Sequence, residues 1–109
     1  PVYITENGIG LYEDVTVDQV EDEERIQFMN MHINAILNAK DEGCDVRGYF
    51  AWSPFDLYSW KNGTEKRYGL VAVDYEDNLK RKPKKSYYWF KNVIETRGEA
   101  IKREPYGEV

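Results

Sequence analysis

The chain has 109 residues, enough for one domain at most. Hydrophobic residues make up 41% and charged residues 32%, which excludes a disordered chain, and no apolar run approaches the ~20 residues of a membrane span. The net charge of −5 argues against a nucleic-acid partner. The single Cys44 excludes an internal disulfide and fits a reducing, cytoplasmic setting.

No signal peptide is read. The sequence begins at Pro1 and runs straight into a strand pattern, so a piece of a longer chain is expected. Residues 1–5 are β-rich and nearly all apolar, the pattern of a strand buried on both faces of a parallel sheet. Glu6-Asn7-Gly8 ends it with turn chemistry, and residues 9–21 are loop-like and acidic. A helix is expected over 22–42. Asp22 is its candidate N-cap, and Glu23 and Glu24 suit the positive first turn. Ile26, Met29, Ile33, Ile36 and Leu37 share one face, with Lys40 at its edge. Gly43 stands where a left-handed C-terminal cap belongs.

Residues 48–53 form the second candidate for a buried strand, and a long loop follows over 54–68. Residues 69–75 read as a short third strand within that excursion. Pro83 opens a second helix over 84–96, with Tyr88, Trp89, Val93 and Ile94 as its stripe and Gly98 beyond its end. Residues 99–109 read as an irregular tail. The order describes two β/α units, the repeat of an α/β barrel or an open parallel sheet. Two parallel strands alone leave edges unpaired, so self-association or a partner chain is expected of the isolated piece.

Glu6 stands where a strand ends, on the edge at which parallel α/β architectures gather their chemistry. A carboxylate there is able to attack an anomeric carbon or take a proton, although an ordinary turn Glu near solvent would read the same. The aromatic share of 15%, with nine Tyr and three Trp, suits a dense core or stacking platforms for sugars. Trp52 sits at the end of the second strand and Trp60 lies in the loop beyond, both toward the edge that carries Glu6.

Tyr3-Ile4-Thr5-Glu6-Asn7-Gly8 resembles the I-T-E-N-G signature that holds the nucleophile of glycoside hydrolase family 1. Gly48-Tyr49-Phe50-Ala51-Trp52-Ser53 resembles that family's last barrel strand. Arg67-Tyr68-Gly69-Leu70 and Val73-Asp74 resemble the stretch after it, and Pro83-Lys84-Lys85-Ser86 with Trp89 resembles the start of the last helix. The ordered motifs cover nearly the whole chain up to about Gly98.

The resemblance implies the C-terminal quarter of a (β/α)8 TIM barrel, its seventh and eighth strand–helix units. It also implies retaining hydrolysis through a covalent glycosyl-enzyme on Glu6. Such enzymes hold two carboxyl groups about 5–5.5 Å apart. The family's acid/base lies in an N-E-P motif, which is absent here, so the chain alone is expected to be inactive and to need the remainder of its barrel.

Further implied roles concern substrate. The Trp matching Trp52 floors the sugar subsite beside the bond that breaks. Ordinary β-glucosidases of the family usually carry Glu at the place of Ser59. Here Ser59, Lys66 and Tyr68 stand at the spacing of the 6-phosphoglycosidases, two neutral donors and one point charge suited to a phosphate dianion. Trp60 resembles the Trp of 6-phospho-β-galactosidases, which leans the reading toward galacto substrates. The expected partner is a phosphorylated disaccharide or β-glycoside, without cofactor or metal.

Two alternatives stay open: an ordinary β-glucosidase piece, and an inactive structural or assembly fragment. His32 reads as a packed or surface residue, the basic run 80–85 as a solvated loop, and Cys44 carries no role.

Overall fold

The computed structural model describes residues 1–61 and 63–105. Four strands and two helices follow in the order β1 (Val2–Asn7), α1 (Glu23–Asp41), β2 (Val46–Ala51), β3 (Val71–Asp74), β4 (Lys80–Pro83) and α2 (Lys85–Glu95). β1 and β2 pair in parallel, joined across α1, which is the β/α unit expected from the pattern. Their register runs Tyr3 to Gly48 and Ile4 to Tyr49, with irregularities on either side. β3 and β4 form a separate antiparallel pair with Val71 opposite Pro83 and Asp74 opposite Lys80.

The helix boundaries follow their sequence signals. Gly43 (φ 96°) supplies the left-handed residue just past α1, a conformation glycine adopts without steric cost, and past α2 Arg97 (φ 53°) and Gly98 (φ 86°) are both left-handed. Asp22 stands at the N-cap position, but its side chain makes no capping bond. Its carboxylate instead accepts from the Arg25 guanidinium and from the Ser86 amide and hydroxyl.

The first apolar cluster joins α1, α2 and the tail: Ile33, Val93 and Ile101 are buried, with Leu37, Tyr49, Trp89 and Phe90 packed around them. The tail has no helix or strand through residue 105, yet it is packed against the body. Ile101 anchors it, and an asparagine ladder on α1 clasps its backbone. Asn30 exchanges two hydrogen bonds with Lys102, and Asn34 exchanges two with Glu104. Asn38 donates a further one to the Glu104 carbonyl. Residues 106–109 of the expected tail lie outside the described residues.

Two other expectations are corrected. β1 and β2 are not buried on both faces: Val2, Tyr3 and Phe50 are exposed. A parallel strand is buried twice only when helices cover both faces and strands flank both edges. Among the described residues β1 has β2 alone as a strand neighbour. The radius of gyration, 15.0 Å, also exceeds the ~13 Å of a closed domain near 100 residues.

The basic run 80–85 is not a solvated loop. Residues 80–83 form β4, and Lys84 is 0% exposed. Its ammonium bonds Glu13 Oε1 at 2.7 Å and Asp56 Oδ1 at 2.8 Å, and burial of a Lys is tolerated when it is paired in this way.

Candidate active site

Glu6 is the penultimate residue of β1 and is exposed. Beside it the chain leaves β2 at Trp52, whose amide donates to the Asn7 carbonyl at 2.8 Å. The Trp52–Ser53 peptide is cis. Gly8 is required by this approach, because a Cβ there would sit 1.9 Å from the Trp52 carbonyl oxygen. The ends of the two strands are therefore locked together, and Trp52 (40% exposed) stands next to Glu6.

The loop beyond is tied back to the same edge. Ser53 N donates to the Tyr68 carbonyl at 3.1 Å, and Leu70 N donates to the Ser53 carbonyl at 3.0 Å. Tyr68 packs its ring over the backbone at Gly10, where a Cβ would come within 2.6 Å of the ring. Ser59 and Gly63 exchange two backbone hydrogen bonds of 2.7 Å, which closes a tight turn with Gly63 at φ 61°. Trp60 projects from that turn, 90% exposed.

These residues line one open cleft of about 470 Å³. Glu6, Trp52, Ser59, Trp60 and Tyr68 all border it, together with Leu57, Tyr58 and Lys61. Five of the six residues singled out in the sequence thus share one concave surface with a carboxylate, two indoles, a hydroxyl and a phenol. An indole face accepts the C–H face of a sugar, and hydroxyl donors fix its oxygens.

Lys66 is the sixth, and it does not line this cleft. It borders a neighbouring one of about 480 Å³ beside Tyr12, its ammonium 5.8 Å from that ring's centroid. The cation that does line the Glu6 cleft is Lys61, which sequence reasoning passed over. Its one signal was its place beside Trp60 in the same turn.

Sequence reasoning also missed a buried polar node that joins the loop after β1, the start of α1, and residues 56, 67 and 84. Arg25 pairs with Glu13 and Asp22, Lys84 with Glu13 and Asp56, and Arg67 with Asp56. Burial alone would raise the Asp56 carboxyl. Hydrogen bonds and charge from Lys84, then Arg67 and the Gly69 amide, outweigh it and hold that carboxyl below its ordinary value. Burial likewise opposes the charge on Arg25, but Glu13 and Asp22 more than restore it. His32 binds the Phe28 carbonyl through Nδ1 at 2.7 Å and packs on the Phe28 ring, a local helix contact.

The family model for glycosyl hydrolase family 1 matches residues 1–99. The chain belongs to that family. Among curated relatives, a 6-phospho-beta-galactosidase of Leptotrichia buccalis is 53% identical over 97 residues, covering 88% of this chain and 20% of that protein. A 6-phospho-beta-galactosidase of Staphylococcus aureus is 48% identical over 99 residues, covering 88% of this chain and 21% of that protein. The family 1 β-glucosidase of Thermotoga maritima superposes with a TM-score of 0.83 at 42% identity, over 88% of this chain and 22% of that structure. The chain therefore spans about a fifth of the length of the relatives it matches, and it is a partial family 1 chain.

Proposed function

We propose that this chain is the C-terminal quarter of a family 1 (β/α)8 barrel and supplies the nucleophile and the phosphate-binding wall of a retaining 6-phospho-β-glycoside hydrolase. The observation that carries the reading is the single cleft shared by Glu6, Trp52, Ser59, Trp60 and Tyr68. Glu6 attacks the anomeric carbon while an acid/base from the remainder of the barrel protonates the leaving oxygen. The same partner then activates water to release the sugar with retained configuration. Trp52 and Trp60 stack against the sugar. Ser59 and Tyr68 donate to the 6-phosphate, and Lys66 supplies the matching charge.

The substrate class rests on Ser59, a neutral donor where a Glu would repel a dianion, and it accords with relatives named 6-phospho-beta-galactosidase. The position of Lys66 beside Tyr12, with Lys61 in the cleft, gives a specific reason to keep an ordinary β-glucosidase as the second reading.

The experiment is kinetic, on the full-length protein. Glu6→Gln should abolish turnover of nitrophenyl glycosides, by about a hundredfold or more. Lys66→Ala and Lys61→Ala are then compared on a 6-phosphorylated substrate and its unphosphorylated form. A rise in KM confined to the phosphorylated substrate supports the phosphate reading and identifies the cation. Equal effects on both substrates favour the β-glucosidase reading.

A further inference from the structure

We infer that Asp56, whose side chain is fully buried, is a positioning residue that sets the separation of the Ser59 and Tyr68 donors. The inference rests on the phosphate reading of that cleft. The Asp56 carboxylate is fully buried and accepts four hydrogen bonds. Oδ1 receives Lys84 Nζ at 2.8 Å and the Gly69 amide at 3.0 Å. Oδ2 receives Arg67 Nη1 at 2.8 Å and the Val73 amide at 3.2 Å. Two of these donors belong to the residues on either side of Tyr68, and Asp56 itself lies three residues before Ser59. One carboxylate therefore joins the two chain segments that carry the donors.

The surrounding structure transmits that placement. A Cβ at Gly69 would meet the Asp56 amide nitrogen at 2.2 Å, so the two backbones touch with nothing between them. Lys84 extends the node to Glu13 on the loop after β1, and Arg25 Nη2 donates to the Arg67 carbonyl at 2.7 Å. The second contact holds the residue before Tyr68, and Glu13 links the first to it because it also pairs with Arg25.

The node's composition argues for geometry over field or stability. Arg25, Arg67 and Lys84 balance Glu13, Asp22 and Asp56, so it carries no net charge to attract a dianion. Apolar side chains of similar volume would stabilise the fold about as well as buried ion pairs. What four directed bonds add is a fixed distance, and donors for a phosphate must stand at fixed distances from one another.

The test uses the full-length protein with a nitrophenyl β-glycoside and its 6-phosphate. Asp56→Asn and Arg67→Lys should each raise KM for the phosphorylated substrate about tenfold or more, with kcat and hydrolysis of the unphosphorylated substrate changed less than about threefold. Equal losses on both substrates, or an unchanged KM, would overturn the positioning role. Arg67→Lys keeps the charge and loses the planar fork, so it decides the question if Asp56→Asn does not fold. A wild type that hydrolyses both substrates alike overturns the phosphate reading and this inference with it. A wild type that discriminates, beside variants that keep its ratio, overturns this inference alone.

Discussion

The two sheets of this chain are held by different means. β1 and β2 carry Glu6 and lead to Trp52, yet Val2, Tyr3 and Phe50 stand open to solvent. β3 buries Val71, Ala72 and Val73, packs Ala72 against Val15 and Val20, and lies against the Asp56–Lys84–Arg67 node. The pair bearing Glu6 is thus the less enclosed one, whereas β3 of the second pair is buried and its partner β4 is half exposed. In α/β architectures the reactive edge is built on whatever scaffold the rest of the sheet supplies.

Substitutions on either side put that contrast to the test. The largest effect is expected at Lys84→Ala, which leaves Asp56 and Glu13 buried without their shared cation. A loss of about 3–5 kcal/mol should appear in the denaturant midpoint. The same node gives an acid limb. Because the folded Asp56 carboxyl titrates below its ordinary value of 3.8, its contribution is present above that pH and is lost as pH falls through the folded value. A stability profile measured against pH should lose this limb in Asp56→Asn.

A smaller effect is expected on the β1–β2 side from Tyr49→Phe. The Tyr49 hydroxyl donates to Asn7 Oδ1 at 2.7 Å, one residue from Glu6, and its loss should cost about 1 kcal/mol. Burial pushes the Tyr49 phenol up to about 12 from its ordinary 10.0. The folded state therefore holds that proton more tightly, and stability present below pH 10 declines as pH rises toward 12. Tyr49→Phe should flatten that alkaline limb.

The smallest effect is expected at Tyr3→Ser on the open face of β1, within about 0.5 kcal/mol for this chain alone. A loss well above 1 kcal/mol, roughly the mean for point substitutions, would mean that the face is covered in solution and that the contrast between the sheets is smaller than drawn.

Legibility followed the range of the interactions. Both helices were readable because glycines past the ends and apolar spacing are local signals, although Asp22 makes no capping bond and Tyr88 and Ile94 of the expected α2 stripe are exposed. Met29 and Ile33 fell on the expected buried face, Gly43 took the expected left-handed conformation, and Gly98 stands beyond the end of α2 as expected. β4 was not readable, since Lys-Arg-Lys-Pro carries no strand pattern and pairs only because β3 lies beside it. Arg25 was hidden within the helix for the same reason: its partners Glu13 and Asp22 come from the loop before α1 and from its first cap. The tail was unreadable because its backbone bonds reach side chains about seventy residues away, a separation no local window spans.

From its order of residues alone the chain declared its family, its two β/α units and the cluster around Glu6, because motif chemistry and helix periodicity are written in neighbouring positions. Only the folded arrangement decided that Lys61 rather than Lys66 borders the Glu6 cleft, and that Lys84 is an interior residue. Whether a charged side chain meets solvent, a ring or a carboxylate depends on what distant segments bring to it, and burial is set by those segments rather than by the residue's own polarity.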